Sequence, residues 1–145
     1  EGIHRAIETS GYCRPEWFQT ITGHLEVVIM DIKQTDRKLH KKYTGQDNEM
    51  ILQNLEYLKQ GSLPFMIRIP LIPGITDTEE NLEQTASLLE RSRNLLGVEL
   101  LPYHQTAGAK YGMIGRAYQP GFQEDQMPRE DTSPFLERGI PCRVL

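Results

Sequence analysis

The 145-residue chain has little cysteine: two residues, Cys13 and Cys142, far apart and without CxxC spacing. That excludes a zinc ribbon or a dithiol redox motif built from this chain alone. Two free thiols in a reducing cytosol are the expectation, and with it a cytoplasmic location. There is no excess of positive charge. The net charge of −4 gives no footprint for nucleic acid or an anionic membrane. No apolar run approaches the about 20 residues that cross a bilayer. A glycine-rich phosphate loop is missing, as are repeats and low-complexity tracts. The chain opens Glu1-Gly2-Ile3-His4-Arg5, without an initiator Met or a signal-peptide pattern, and reads as a fragment cut in mid-protein. Its size suits one domain with a real core.

What is present is alternation. Residues 4–8, Val27 to Ile32, Phe65 to Ile69 and Val98 to Leu101 are short apolar strand-like runs. The second is nearly continuous, as in a strand covered on both faces. Between them lie helical patterns. Pro15 opens one to Thr22, burying Trp17, Phe18 and Ile21. Thr35-Asp36 starts a charged turn from Arg37 to Tyr43, ended at Gly45. Asn48 caps a helix carrying Ile51, Leu52, Leu55 and Leu58, stopped by Gly61. Thr76 or Asp77 caps a long helix to about Asn94, with Leu82, Ala86 and Leu89 inward. Pro70 to Gly74 is expected as a loop, because two prolines so close disfavour helix and central strand. Gly97 is expected to end the connection before the fourth strand. Strands alternating with helices argue for an α/β fold with parallel pairing. Residues 1–104 carry the βα repeats. Residues 105–139 form a long loop and a weak helix near Pro134 to Arg138. Residues 140–145 form a terminal edge strand.

The strand runs end in polar residues, and the carboxyl ends of parallel strands are where ligands bind. Glu8-Thr9-Ser10-Gly11 offers a carboxylate beside a hydroxyl for a cation or an amino group. It equally suits a plain turn capped by Thr9 or Ser10, with Gly11 at an unusual φ. Asp31 and Lys33, two apart, share a face. They can accept from and donate to ribose hydroxyls, or form a surface ion pair. Arg68 between Ile67 and Ile69 needs an anion or carbonyl partner, unless an edge strand lets it reach solvent. His104 can hydrogen-bond a base or sugar, or serve as an acid–base group. His4, His24 and His40 have no partner at ligand spacing. Lys110-Tyr111 and Gly115-x-x-Tyr118 lie in the long loop, where a solvated loop competes with a docking lid.

Glu8-Thr9-Ser10-Gly11-Tyr12, Asp31-Ile32-Lys33-Gln34, Arg68-Ile69-Pro70-Leu71-Ile72-Pro73-Gly74 and Leu100-Leu101-Pro102-Tyr103-His104 occur in this order with βα spacing. Together they resemble the glycyl-radical-enzyme activating enzymes, the pyruvate formate-lyase activating enzyme family of the radical S-adenosylmethionine (SAM) superfamily. The resemblance covers about residues 4–120. It implies the carboxyl-terminal half of a partial parallel (β/α) barrel. Such enzymes cleave SAM with a [4Fe–4S] cluster, and the 5′-deoxyadenosyl radical takes a hydrogen from a glycine of the partner enzyme. By resemblance Asp31, Lys33, Arg68 and His104 bind SAM. Glu8, Thr9, the Ile29 carbonyl and Asp31 hold a monovalent cation, with Glu8 standing where the pyruvate formate-lyase activator has Asp. Implied partners are a glycyl radical enzyme and an electron donor such as flavodoxin or ferredoxin. The family's CxxxCxxC cluster motif is not in this sequence, so the cluster is expected only in a longer protein and the fragment alone is expected to be inactive. The exposed sheet edges of a half barrel predict marginal stability or dimerisation. Two rival readings are a βα-barrel lyase with Lys33 as Schiff-base lysine and a non-catalytic module that docks a partner.

Overall fold

The computed structural model describes residues 2–103, 113, 115, 121–122 and 125–145. The described elements run β1 (Ala6–Thr9), α1 (Pro15–Thr22), β2 (Val27–Asp31), α2 (Arg37–Thr44), α3 (Glu49–Gln60), β3 (Phe65–Leu71), α4 (Glu79–Leu89), β4 (Leu95–Pro102), α5 (Ser133–Leu136) and β5 (Cys142–Val144). The strands form one sheet in the spatial order β1-β2-β3-β4-β5, and every neighbouring pair is parallel. Parallel neighbours require a crossover, and helices supply it between the first four strands.

The two faces of the sheet differ, as period-two alternation demands. Val28, Met30, Phe65, Ile67, Ile69, Leu71, Val98 and Leu100 are buried on one face. They form a single core with Phe18 of α1, Leu55 and Leu58 of α3, Leu82, Ala86 and Leu89 of α4, and Phe135 of α5. The other face carries Glu8, Ile29, Asp31, Met66, Arg68 and Glu99.

Several local expectations are corrected. Helix α1 buries Phe18, whose ring meets Tyr57 of α3 edge-on at 6.3 Å. Trp17 and Ile21 lie on its solvent side, and the Arg14 guanidinium covers the Trp17 ring. Asn48 stands at the N-cap of α3, but its side chain makes no cap bond; its amide donates to the carbonyls of Gln34 and Thr35, while Asp47 accepts from Glu49 N–H. Thr78, not Thr76 or Asp77, caps α4 by accepting from Asn81 N–H. Thr76 instead accepts from Ile72 N–H and donates to the Pro70 carbonyl. Helix α4 ends at Leu89, and Arg91 at φ 66° turns the chain away.

Pro70 and Leu71 belong to β3 rather than to a loop. The Arg68 carbonyl accepts from Ile32 N–H, so residues 68 and 70 turn their backbone towards β2. Strand β2 has ended by then, at Asp31, and the missing Pro70 N–H leaves no ladder bond unmade. Gly97 lies inside β4, not before it. A Cβ there would stand 2.9 Å from the Pro141 carbonyl oxygen, so glycine lets the segment leading into β5 approach the sheet.

Candidate functional site

At the carboxyl end of β2, Lys33 Nζ donates to Asp31 Oδ2 at 3.0 Å, with both side chains partly open to solvent. Asn81 Nδ2 takes the Lys33 carbonyl, and Asn81 Oδ1 accepts from Thr35 N–H. Those bonds fix the backbone just beyond the strand. A pocket of about 190 Å³ opens beside the pair, lined by Ser10, Tyr12, His40 and Gln46 among others. His40 is buried there, and Nδ1 lies 2.8 Å from the Gln46 carbonyl. A carbonyl only accepts, so Nδ1 carries the hydrogen towards Gln46. Sequence reasoning passed over His40 because its partners are backbone and hydroxyl groups with no motif of their own.

Arg68 sits on the central strand β3, which removes the edge-strand alternative. Its Nη1 lies 2.7 Å from Glu8 Oε2, and its Nε donates to Glu99 Oε2 at 2.8 Å. Glu99 Oε1 accepts from Arg143 Nε at 3.2 Å and from a terminal Arg143 nitrogen. Asp31, Arg68, Glu99 and Arg143 are successive register partners across β2, β3, β4 and β5. Arg143 first, then Arg68, hold the Glu99 carboxyl below the usual carboxylate range against the opposing effect of burial. Glu99 chiefly, and then Glu8, raise the Arg68 guanidinium further.

Glu99 and Arg143 were not among the sequence-derived site residues. The available signal was Glu99 between Val98 and Leu100, the same apolar–charged–apolar pattern that marks Arg68.

The structure also separates residues grouped in the sequence. Glu8 pairs with Ile29 and shares its face with Asp31, whereas Thr9 falls in the Met30 row on the helix-covered side. Thr9 Oγ1 accepts from Gly11 N–H, Ser10 Oγ accepts from Tyr12 N–H, and Gly11 adopts φ 68°, so the segment makes the capped turn. Lys33 lies in an ion pair open to solvent, not in the apolar pocket that activates a Schiff-base lysine. His104, Lys110, Tyr111 and Tyr118 lie outside the described residues.

A parallel α/β sheet with its helices on one face and a charged row on the other is the architecture of a partial β/α barrel. The family model "Radical SAM superfamily" matches residues 1–89, and the chain belongs to that superfamily. It is 33% identical, over 98% of its length and 46% of the relative's, to the 4-hydroxyphenylacetate decarboxylase activating enzyme of Clostridioides difficile (strain 630). It is 36% identical, over 95% of its length and 45% of the relative's, to the trans-4-hydroxy-L-proline dehydratase activating enzyme of Clostridioides difficile. A solved domain of pyruvate-formate lyase-activating enzyme from Bacteroides vulgatus ATCC 8482 superposes with a TM-score of 0.76 at 26% identity, covering 99% of this chain and 82% of that one. The fold is thus part of the radical SAM partial barrel. The chain spans about half the length of the curated relatives it matches.

The superfamily implies SAM and a [4Fe–4S] cluster. The residues here do not fit the cluster. Iron–sulfur clusters are held by sets of cysteine thiolates, and this chain has two cysteines. Cys13 follows β1 and Cys142 lies on β5, at opposite edges of the sheet. Burial pushes both thiols up, Cys142 to about 11, which disfavours the thiolate that a metal needs. The rim does fit SAM. Asp31 supplies an acceptor, while Lys33 and Arg68 supply charged donors, as a ligand carrying hydroxyl and carboxylate groups requires.

Proposed function

We propose that this chain is the SAM-holding part of an activating enzyme, an oxidoreductase that installs a glycyl radical on a partner enzyme. The observation that carries this reading is the gathering of Asp31 and Lys33 at the carboxyl end of β2 beside Arg68, the register partner of Asp31 on the neighbouring strand β3, in a radical SAM chain whose relatives are activating enzymes. Asp31 accepts from a ribose hydroxyl and Lys33 donates to one. Arg68 offers terminal N–H groups to SAM, and His104 completes the set. Glu8 and Asp31, on one face, with the Ile29 carbonyl make up the candidate monovalent-cation site, while Thr9 lies in the opposite-facing row and is left out of it. SAM and a cluster ligated by residues outside these 145 supply the radical chemistry when bound. The partner is a glycyl radical enzyme, the electron donor a flavodoxin or ferredoxin, and the setting the cytoplasm. No described helix is long and apolar enough to cross a membrane.

Equilibrium dialysis of radiolabelled SAM against the chain tests the reading. Asp31→Asn and Lys33→Gln each remove one charged hydrogen-bond partner and are expected to weaken binding about tenfold or more. Absence of binding to the wild-type chain, or equal affinity in all three proteins, refutes it.

A further inference from the structure

Two carboxylates of different character hold Arg68. The Glu8 side chain is 60% exposed and takes Nη1, whereas the Glu99 side chain is 4% exposed and takes Nε. The Glu8 contact is therefore exchangeable with solvent or ligand, and the Glu99 contact is built in. Glu99 is itself held on its second oxygen by Arg143 from the edge strand. A guanidinium is a rigid plane, so a bond to Nε sets where the terminal nitrogens point. Strand register places Arg68, Glu99 and Arg143 side by side on one face. The anchor thus depends on the sheet and not on a mobile loop.

We infer that Glu99 is the positioning residue for Arg68, braced by Arg143, and that neither touches the ligand that Arg68 receives. The inference rests on the reading of Arg68 as a SAM-binding residue. A pre-set guanidinium loses less freedom when it binds, which favours affinity without adding a contact. Glu99→Gln keeps the shape and a carbonyl acceptor but removes the charge that both guanidinium groups share.

The test uses the ¹⁵N-labelled full chain. The Arg68 Nε–Hε signal is assigned by its loss in Arg68→Lys. A proton bonded to a buried carboxylate exchanges slowly with water. Glu99→Gln is expected to speed that exchange at least tenfold, and Arg143→Gln by a smaller factor. The Kd for SAM is expected to rise about fivefold in Glu99→Gln, and that rise is expected to vanish in the Arg68→Lys background. Unchanged Hε exchange in Glu99→Gln overturns the inference. So does an equal loss of SAM affinity in both backgrounds, since that marks a merely structural role. If Glu99→Gln does not fold, Arg143→Gln decides: unchanged Hε exchange in that variant overturns the brace, and acceleration supports it. Should Arg68→Lys itself leave SAM affinity untouched, the SAM reading of Arg68 falls, and Hε exchange alone judges the anchor.

Discussion

Asn81 offers the most exacting single test of how this fold holds its site. It is buried in the first turn of α4 and spends both ends of its amide. Oδ1 accepts from Thr35 N–H at 2.9 Å and from Thr35 Oγ1 at 3.1 Å; Nδ2 donates to the Lys33 carbonyl at 3.0 Å and the Thr76 carbonyl at 2.8 Å. One side chain therefore ties the segment after β2 to the loop after β3. Asn81→Ala removes all four bonds. At about 0.5–1.5 kcal/mol net for each, the loss is about 2–6 kcal/mol, and water entering the vacated space brings the expectation to about 3–4 kcal/mol. That is a large share of the about 5–15 kcal/mol that holds an ordinary domain together. For a chain of this size it corresponds to a fall in Tm of about 10 °C. Urea titration followed by far-UV circular dichroism measures it as a lower midpoint at unchanged slope. Asn81→Asp sharpens the test. It keeps an acceptor for Thr35 but turns a carboxylate oxygen towards two carbonyls, so at neutral pH it is expected to cost at least as much as alanine. A loss below about 1 kcal/mol in Asn81→Ala, or an aspartate variant more stable than the alanine one, would refute the reasoning.

Two further predictions concern the β4–β5 edge. Gly97→Ala places a Cβ against the Pro141 carbonyl at φ 153° and is expected to destabilise by about 1–3 kcal/mol. Amide exchange at Val98, whose N–H donates to that carbonyl at 2.8 Å, should accelerate, and an unchanged Tm and Val98 rate would show that β5 does not need the close approach. The Cys142 thiol, raised by burial to about 11, binds its proton more tightly in the folded chain than in the unfolded one, where the value is about 8.5. Its contribution to stability is therefore full below about pH 8.5 and lost as pH climbs towards 11. Iodoacetamide at pH 8.5 should alkylate Cys142 more slowly than Cys13, and both more slowly than in the urea-unfolded chain. Cys142 reacting first contradicts the burial.

The alternation of elements was legible because each run carries its own periodicity: Ile51, Leu55 and Leu58 read as one helix face without any partner in view. The errors lie where a distant segment decides. Gly97 looks like a chain break until Pro141 is seen against it. Pro70 looks like a loop residue until β2 is seen to end before reaching it. Asn48 holds the N-cap position as expected, but its amide is claimed by Gln34 and Thr35 instead of the helix. The same logic governs the site. Asp31 with Lys33 could be picked out from their closeness in sequence, although β2 ends at Asp31 and Lys33 meets it from just beyond the strand. Arg68 announced itself as a charge in an apolar run, but its partners Glu8 and Glu99, and the Arg143 that holds Glu99, come from three other strands. Register, which brings them together, is a property of the assembled sheet.

The spatial order of the strands, β1 to β5, is also their order along the chain. No strand has to be inserted between two that are already paired. A chain leaving the ribosome at about 5–20 residues per second can add each new strand to the edge its predecessor has just completed. Growth of this kind is vectorial: each new strand covers the edge its predecessor exposed. Of the five strands β5 arrives last, bringing Arg143 to Glu99, so the charged row closes only after β1 to β4 have been made.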